Sequence, residues 1–318
     1  MNKYSTCIIG CGNVAGMYGG MNNSRPQTHA STYINNPNTE IIAVVEPDEN
    51  KAMVFCEKWN IDQHFSSIDL MLNAVSPEIV SICSPTINHF SDINMVCKSD
   101  ALGIFIEKPL SNKIDECKEI VTLSKDLAVA VNYFRRWNKD IQAIKSRIAD
   151  NEFGEIRQIT IQYTKGMKNN GSHMVDLLLW IFDEMTFESK TKEYEKVDED
   201  QGVDCCFRLS NSAQVNFIHI PNVDYVFIEV DMLFDDFLIR LSQRGQFIQI
   251  YEKTLDEDYK VFNKLELSYE KETNWNDCFS NAIDNLIGNI EGTEEILCSA
   301  DDALKTSLIC DEVISSKT

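Results

Sequence analysis

Four short stretches of this chain carry side chains that could do chemistry. Glu107-Lys108-Pro109 closes an apolar run, Leu102-Gly103-Ile104-Phe105-Ile106, that reads as a buried strand ended by a breaker. Pro109 has no N–H and restricts Lys108 to extended geometry, so strand pairing stops there. A lysine at the carboxyl end of a parallel strand stands where open α/β sheets bind their ligands; the alternative is a solvated lysine beside a glutamate. Gly10-Cys11-Gly12-Asn13-Val14-Ala15 matches G-x-G-x-x-A after a short apolar strand. Gly10 would make the tight turn, Gly12 would let backbone approach a pyrophosphate, and Ala15 would allow close helix–strand packing. Cys83-Ser84-Pro85-Thr86-Ile87-Asn88-His89 leaves a third strand at the same edge, where backbone groups can line a cofactor ribose. His89 is read either as a participant there or as a first-turn helix residue. The fourth stretch is Gly171-Ser172-His173-Met174-Val175-Asp176.

An acidic partner for the glycine fingerprint is expected after the second strand. Glu46, in Val44-Val45-Glu46-Pro47-Asp48, occupies that point, with Asp48 as the alternative. It lies farther from Gly12 than the usual spacing of about 20 residues. The excess is the Gly-, Asn-, Ser- and Pro-rich loop 17–28, read as an insertion beside the cofactor. A carboxylate there accepts hydrogen bonds from ribose hydroxyls and repels a 2′-phosphate, which favours NAD over NADP.

These residues need a frame that brings strand ends together. Residues 4–131 alternate strand-like runs (Cys7–Ile9, Ile41–Val45, Ile79–Cys83, Gly103–Ile106 and Leu127–Val131) with helix candidates at about 29–35, 48–59, 67–74, 88–99 and 112–125. Strands separated by single helices imply right-handed crossovers and a parallel, doubly wound sheet. The pattern then changes. A helix over 138–149, a strand over Ile156–Tyr163 and an amphipathic helix over 172–182 precede an acidic stretch, 188–201, read as an exposed edge or loop. Five or six strand-like runs fill 203–269, and helices return at about 275–290 and 299–316. The expected fold is α/β: an NAD-binding Rossmann domain over 1–125, then an α+β domain over 126–318 with a large, mostly antiparallel open sheet. Such a sheet must cover an apolar face, which pairing into a homodimer or homotetramer would do.

Composition narrows the function classes. The chain has 318 residues, 43% of them hydrophobic, and a net charge of −21. Residues 151–318 hold 33 acidic against 15 basic side chains, a surface that repels a phosphate backbone or an anionic membrane. No stretch approaches the roughly 20 apolar residues of a membrane span, and Cys7-Ile8-Ile9 is too short for a signal segment. Eleven cysteines with no CxxC pair do not form a disulfide framework, and Cys205 and Cys206 would face opposite sides of a strand. A reducing, cytoplasmic location is expected. The five histidines show no ligand spacing, so no metal site is expected.

Taken in order, the fingerprint, Ser84-Pro85-Thr86 with His89, Glu107-Lys108-Pro109, Asn132-Tyr133-Phe134-Arg135-Arg136 and Gly171–Asp176 resemble the glucose-fructose oxidoreductase / inositol dehydrogenase / MocA family of NAD(P)-dependent oxidoreductases, along nearly the whole chain. The resemblance implies oxidation of a secondary hydroxyl, or reduction of the ketone, on a polyol, sugar or nucleotide sugar. It maps the family's lysine to Lys108 and its catalytic histidine to His173. An ammonium beside the reacting oxygen stabilises a developing alkoxide, and histidine titrates near neutrality. Where the family commonly has aspartate four residues before the histidine, this chain has Asn169, which can hydrogen-bond a substrate hydroxyl but cannot transfer a proton. Asp176, three residues after His173, could orient its imidazole. The Lys-Asn-Asn-Gly-Ser-His variant resembles members that act in bacterial surface-glycan and nucleotide-sugar pathways.

Arg135, Arg136 and Trp137 follow the last Rossmann strand, and an arginine pair with an aromatic suits a phosphorylated or carboxylated sugar; the alternative is a basic helix start with a core tryptophan. Tyr163 and Lys165 are further candidates for the substrate side. Two other functions stay open: a non-catalytic NAD-binding regulator on the same fold, and a lyase or glycosidase that uses NAD transiently.

Overall fold

A computed structural model describes residues 3–18, 27–197 and 200–317. The chain forms two compact units, residues 1–137 with 276–305, and residues 138–275 with 306–318.

The first unit is a six-stranded parallel sheet in the order β3-β2-β1-β4-β5-β6. Its strands are β1 (Tyr4–Ile9), β2 (Thr39–Val45), β3 (His64–Phe65), β4 (Ile79–Ile82), β5 (Gly103–Ile106) and β6 (Ala128–Val131). That order reverses at β1/β4, the point where doubly wound folds open their ligand crevice. The connecting helices are α1 (His29–Asn35), α2 (Glu49–Trp59), α3 (Ile68–Ala74), α4 (His89–Val96) and α5 (Ile114–Leu123). Local chemistry sets their ends. Thr28 and Ser31 form a capping box at α1, and the Asp48 carboxylate accepts the Lys51 N–H at 3.1 Å to start α2. Asn60, in the left-handed region at φ 53°, ends it. The two-residue β3 is too short to give a sequence signal.

The chain leaves this unit later than the 125/126 division expected from the sequence. Strand β6 pairs with β5 through Gly103–Ala128 to Ile106–Val131, and the first unit runs on to Trp137. The chain also returns. Helix α8 (Cys278–Ile290) places Ala282, Ile283, Leu286 and Ile287 in the first core, and the Val131 N–H donates to the Cys298 carbonyl at 2.9 Å. Gly103 lacks a side chain because a Cβ there would lie 2.9 Å from Ile290 Cδ1.

The second unit is an eight-stranded sheet in the order β14-β13-β12-β11-β7-β10-β9-β8. The strands are β7 (Ile156–Tyr163), β8 (Met185–Val197), β9 (Asp200–Leu209), β10 (Gln214–His219), β11 (Ile228–Phe234), β12 (Phe237–Ser242), β13 (Phe247–Leu255) and β14 (Asn263–Glu272). All neighbours are antiparallel except β7 and β10. The acidic stretch 188–201 therefore lies in edge strand β8 and the start of β9, with residues 198–199 outside the described residues. One sheet face buries Ile159, Ile161, Phe207, Val230, Ile239 and Ile250 against helices α6 (Lys139–Ala149) and α7 (Ser172–Phe182) and the end of α9 (Ala300–Ser315). On the opposite face, directly paired residues Leu233, Leu238, Tyr251 and Leu267 make an apolar row across four strands. Leu233 is 39% and Leu267 50% exposed. Cys205 is buried and Cys206 half-buried, as their alternation requires.

Candidate functional site

The first unit gathers the fingerprint, the acidic residue and two strand exits. After β1, Gly10 has φ +88°, and a Cβ on it would come within 2.8 Å of the Ser84 backbone nitrogen. Only glycine allows these two turns to pass so closely. A Cβ on Gly12 would meet nothing within 4 Å, so its backbone faces open space. The Glu46 carboxylate accepts the Cys11 N–H at 3.1 Å and the Asp48 N–H at 3.2 Å, which sets an acid at the lip of the glycine turn. Ala15 is fully buried, while Val14 is half-buried and Asn13 exposed. The helical segment opened by the fingerprint is short, Asn13–Met17. It is tied down where Trp59 Nε1 donates to the Gly16 carbonyl at 3.1 Å. Residues 19–26 of the 17–28 loop lie outside the described residues. A positive-φ glycine, an open glycine and a carboxylate at the end of β2 fit a dinucleotide.

The β4 and β5 exits carry the second group of predicted residues. Ser84 Oγ donates to Asp92 Oδ2 at 2.6 Å. The buried His89 ring lies between two carbonyls, Nδ1 2.9 Å from Pro109 O and Nε2 3.0 Å from Ser84 O. Burial lowers its pKa, against the opposing pull of those carbonyls. His89 thus ties the two exits together, a role its sequence position did not reveal. Glu107 is held by Asn132 Nδ2 at 2.6 Å and by His29 Nε2 at 3.0 Å. Burial alone would raise its pKa, but hydrogen bonding and charge from His29, with Asn132 and Lys108, hold it below the usual carboxylate range. Both contacts fall on one carboxylate oxygen, Oε1. Lys108 is half-buried. Nothing in the sequence around His29, beyond a histidine opening a helix, signalled that it would reach a strand 78 residues away.

The arginine–tryptophan group behaves differently from its reading as a substrate clamp. Trp137 is fully buried and its Nε1 donates to Asn285 Oδ1 at 3.0 Å, so its indole is core. Arg136, 3% exposed, donates to the Leu297 carbonyl at 2.8 Å and pairs with Asp302 at 3.4 Å. Arg135 is buried too, with its guanidinium 4.9 Å from the Phe134 ring centre. The first two fasten the returning segment 276–305, whose arrival the sequence did not disclose.

In the second unit, Tyr163 also belongs to the core. Its hydroxyl donates to the Val203 carbonyl at 2.7 Å and accepts the Val203 N–H at 3.0 Å, and burial pushes its pKa up. Beyond it, β7 and β10 end side by side at a cavity of about 650 Å³ lined by Lys165, Asn169, Tyr194, Asp200, His219 and Asn222, among others. Asn169 is exposed, and the Asp200 carboxylate accepts the backbone N–H groups of Lys168 at 3.0 Å and Asn169 at 2.8 Å. The sequence had not singled out His219, which burial keeps at a lowered pKa. Its buried Nδ1 has no hydrogen-bond partner. His173 is 9% exposed in the first turn of α7. Asp176 is buried in the next turn and accepts from Thr306 Oγ1 at 3.4 Å. Among the described residues, no group of His, Cys, Asp or Glu could hold a metal ion, and no helix is long and apolar enough to cross a membrane.

The sheet order and the glycine loop define an NAD-binding Rossmann domain, and residues 5–133 match the sequence model of the Gfo/Idh/MocA group, described as an oxidoreductase family with an NAD-binding Rossmann fold. That match spans less than half of the chain and is confined to its first unit. D-glucoside 3-dehydrogenase of Escherichia coli (strain K12) is 26% identical over 151 residues, 47% of this chain. The match spans 40% of that relative's length. Two solved structures are similar over almost their whole length. The WlbA dehydrogenase from Bordetella pertussis, in complex with NADH and UDP-GlcNAcA, has a TM-score of 0.78 at 15% identity, covering 98% of this chain and 95% of that one. A 3-ketoreductase from Actinomadura kijaniata, in complex with TDP-benzene and NADP, has a TM-score of 0.79 at 12% identity, covering 99% and 98%. At these identities the likeness is one of fold. Bound cofactors of both kinds occur among these structures.

Proposed function

We propose that this protein is an NAD-dependent oxidoreductase acting on a secondary hydroxyl, or the corresponding ketone, of a sugar, nucleotide sugar or cyclitol. The observation that carries this reading is the arrangement within the first unit: an open Gly12 turn, a carboxylate at its lip and a half-buried lysine at the β5 exit. Gly10, Gly12, Asn13, Val14 and Ala15 cradle the diphosphate through backbone N–H groups. Glu46 accepts from the adenosine ribose and disfavours a 2′-phosphate, while Ser84 and Pro85 line the second ribose. A nicotinamide held there would supply the hydride transfer. Lys108 stabilises negative charge on the reacting oxygen. His173 takes or returns its proton, and Asp176 holds the imidazole. Asn169, at the mouth of the cavity in the second unit, hydrogen-bonds a substrate hydroxyl.

The exposed row Leu233-Leu238-Tyr251-Leu267 supports pairing of two copies through the open sheet face, as a homodimer or within a homotetramer. A cytoplasmic location goes with this reading. The amide at Asn169, in place of a carboxylate, favours one rival, an NAD-binding regulator without turnover. Absorbance at the nicotinamide band separates them, with NAD or NADP added to a panel of sugars, nucleotide sugars and inositols. Turnover preferring NAD supports the enzyme. Tight NAD binding with no turnover across the panel supports the regulator.

A further inference from the structure

We propose that His29 and His89 are a pair of positioning residues that fix Lys108 from its two chain neighbours. Both are buried, at 0% and 1% exposure, and neither is adjacent to Lys108 in sequence. On one side, His29 Nε2 reaches Glu107 Oε1 at 3.0 Å and Nδ1 reaches Ser81 Oγ at 2.8 Å. Ser81 Oγ lies 2.7 Å from the Tyr33 hydroxyl. On the other side, His89 joins the Pro109 carbonyl to the Ser84 carbonyl.

The hydrogens along the first chain follow from its end. An ionised Glu107 only accepts, so His29 Nε2 carries the proton. Nδ1 meets Ser81 Oγ, which in turn meets the Tyr33 hydroxyl. The His29 ring is clamped between Phe105 at 4.6 Å and Phe279 at 5.5 Å between ring centres. His89 presents one ring nitrogen to each of the two carbonyls, Nδ1 to Pro109 and Nε2 to Ser84. Because Glu107 and Pro109 flank Lys108, anchoring both confines the backbone from which the flexible ammonium stem departs. Buried rings hold such a setting better than surface contacts would, since nothing around them can relax into water.

The inference rests on the reading of Lys108 as the polarising group, but its test does not need turnover. The full-length protein is labelled with acetic anhydride at a series of pH values, and the rate at Lys108 is read by mass spectrometry against Lys113 and Lys118 in the same unit. His29→Leu and His89→Leu are expected to change the Lys108 rate by at least about fivefold through its altered surroundings. Lys113 and Lys118 should keep their rates, and His29→Gln and His89→Gln, which retain a donor, should return Lys108 toward wild type. If the leucine variants do not fold, Ser81→Ala and Glu107→Gln decide by the same readout. Lys108 labelling unchanged in the folded variants would overturn the proposal. A wild-type protein without turnover would overturn the catalytic reading of Lys108 and leave the labelling result to be judged separately.

Discussion

Replacing Glu46 by glutamine tests the cofactor assignment at its most specific point. The carboxylate is half-buried and held at the glycine turn by the Cys11 and Asp48 N–H groups, so its position is set before any ligand arrives. A 2′-phosphate brought to about 4 Å of it would cost about 4 kcal/mol per pair of unit charges at an effective dielectric of about 20. Partial exposure and salt reduce this to roughly 1–2 kcal/mol. Glutamine removes the charge and keeps an acceptor oxygen for one of the two N–H groups. The expected result is that Glu46→Gln binds NADPH roughly 5- to 30-fold more tightly than wild type does. NADH binding should weaken by less than about tenfold, through the loss of a charge-assisted ribose contact. Dissociation constants for both cofactors, measured by nicotinamide fluorescence at low and at moderate salt, give the answer. A wild-type protein that prefers NADPH, or a variant with an unchanged NADH/NADPH ratio, would refute the reasoning.

Three further outcomes follow from the geometry. Gly10→Ala should abolish measurable NAD binding, because its Cβ would meet the Ser84 backbone at 2.8 Å and adopt φ +88°; unchanged binding in a calorimetric titration would contradict the close passage of the two turns. Trp137→Ala should cost about 3–5 kcal/mol of stability in urea unfolding, as a fully buried indole is lost and Asn285 Oδ1 keeps only the Leu297 N–H of its two donors. A cost below about 1 kcal/mol would return Trp137 to the surface. The third concerns pH: a histidine whose folded pKa is lowered by burial, as His89's is, binds fewer protons folded than unfolded. Its contribution is complete above the unfolded value of about 6.5 and is lost as pH falls through it. The wild type should therefore lose more stability between pH 7.5 and 5.5 than His89→Gln does, and equal losses would exclude His89 as the source. Glu107, held below the usual carboxylate range, acts at lower pH, outside this window.

The Rossmann half was legible because its signals are local. Strands such as Ile79–Ile82 and Gly103–Ile106 are short, fully buried apolar runs, and helices such as α1 and α3 carry their own caps. Gly10, Gly12 and Glu46 were readable for the same reason, since a turn followed by a helical segment and an acid at a strand end are written in sequence neighbours. Contacts between distant segments were not legible. Arg136 and Trp137 resembled a ligand clamp because their partners, Leu297, Asp302 and Asn285, arrive from a return of the chain about 150 residues later. Tyr163 was read as a candidate for the substrate side because its partner Val203 lies 40 residues away across the sheet. His29 was missed for the converse reason: a lone histidine at a helix start carries no mark of the buried glutamate it meets. Strand β14 alternates charged and apolar residues with both faces largely exposed, which gives little contrast for a sequence pattern to register.

The central claim is that Lys108 acts on the reacting oxygen in an NAD-linked oxidation or reduction. Its most direct test is the turnover of Lys108→Met on the best substrate of the sugar panel, measured alongside its NAD dissociation constant. The account predicts a fall in kcat of about a hundred- to a thousandfold, as expected on removing a preorganised charge at a developing oxyanion, with NAD binding within about threefold of wild type. Retained turnover in Lys108→Met would contradict it.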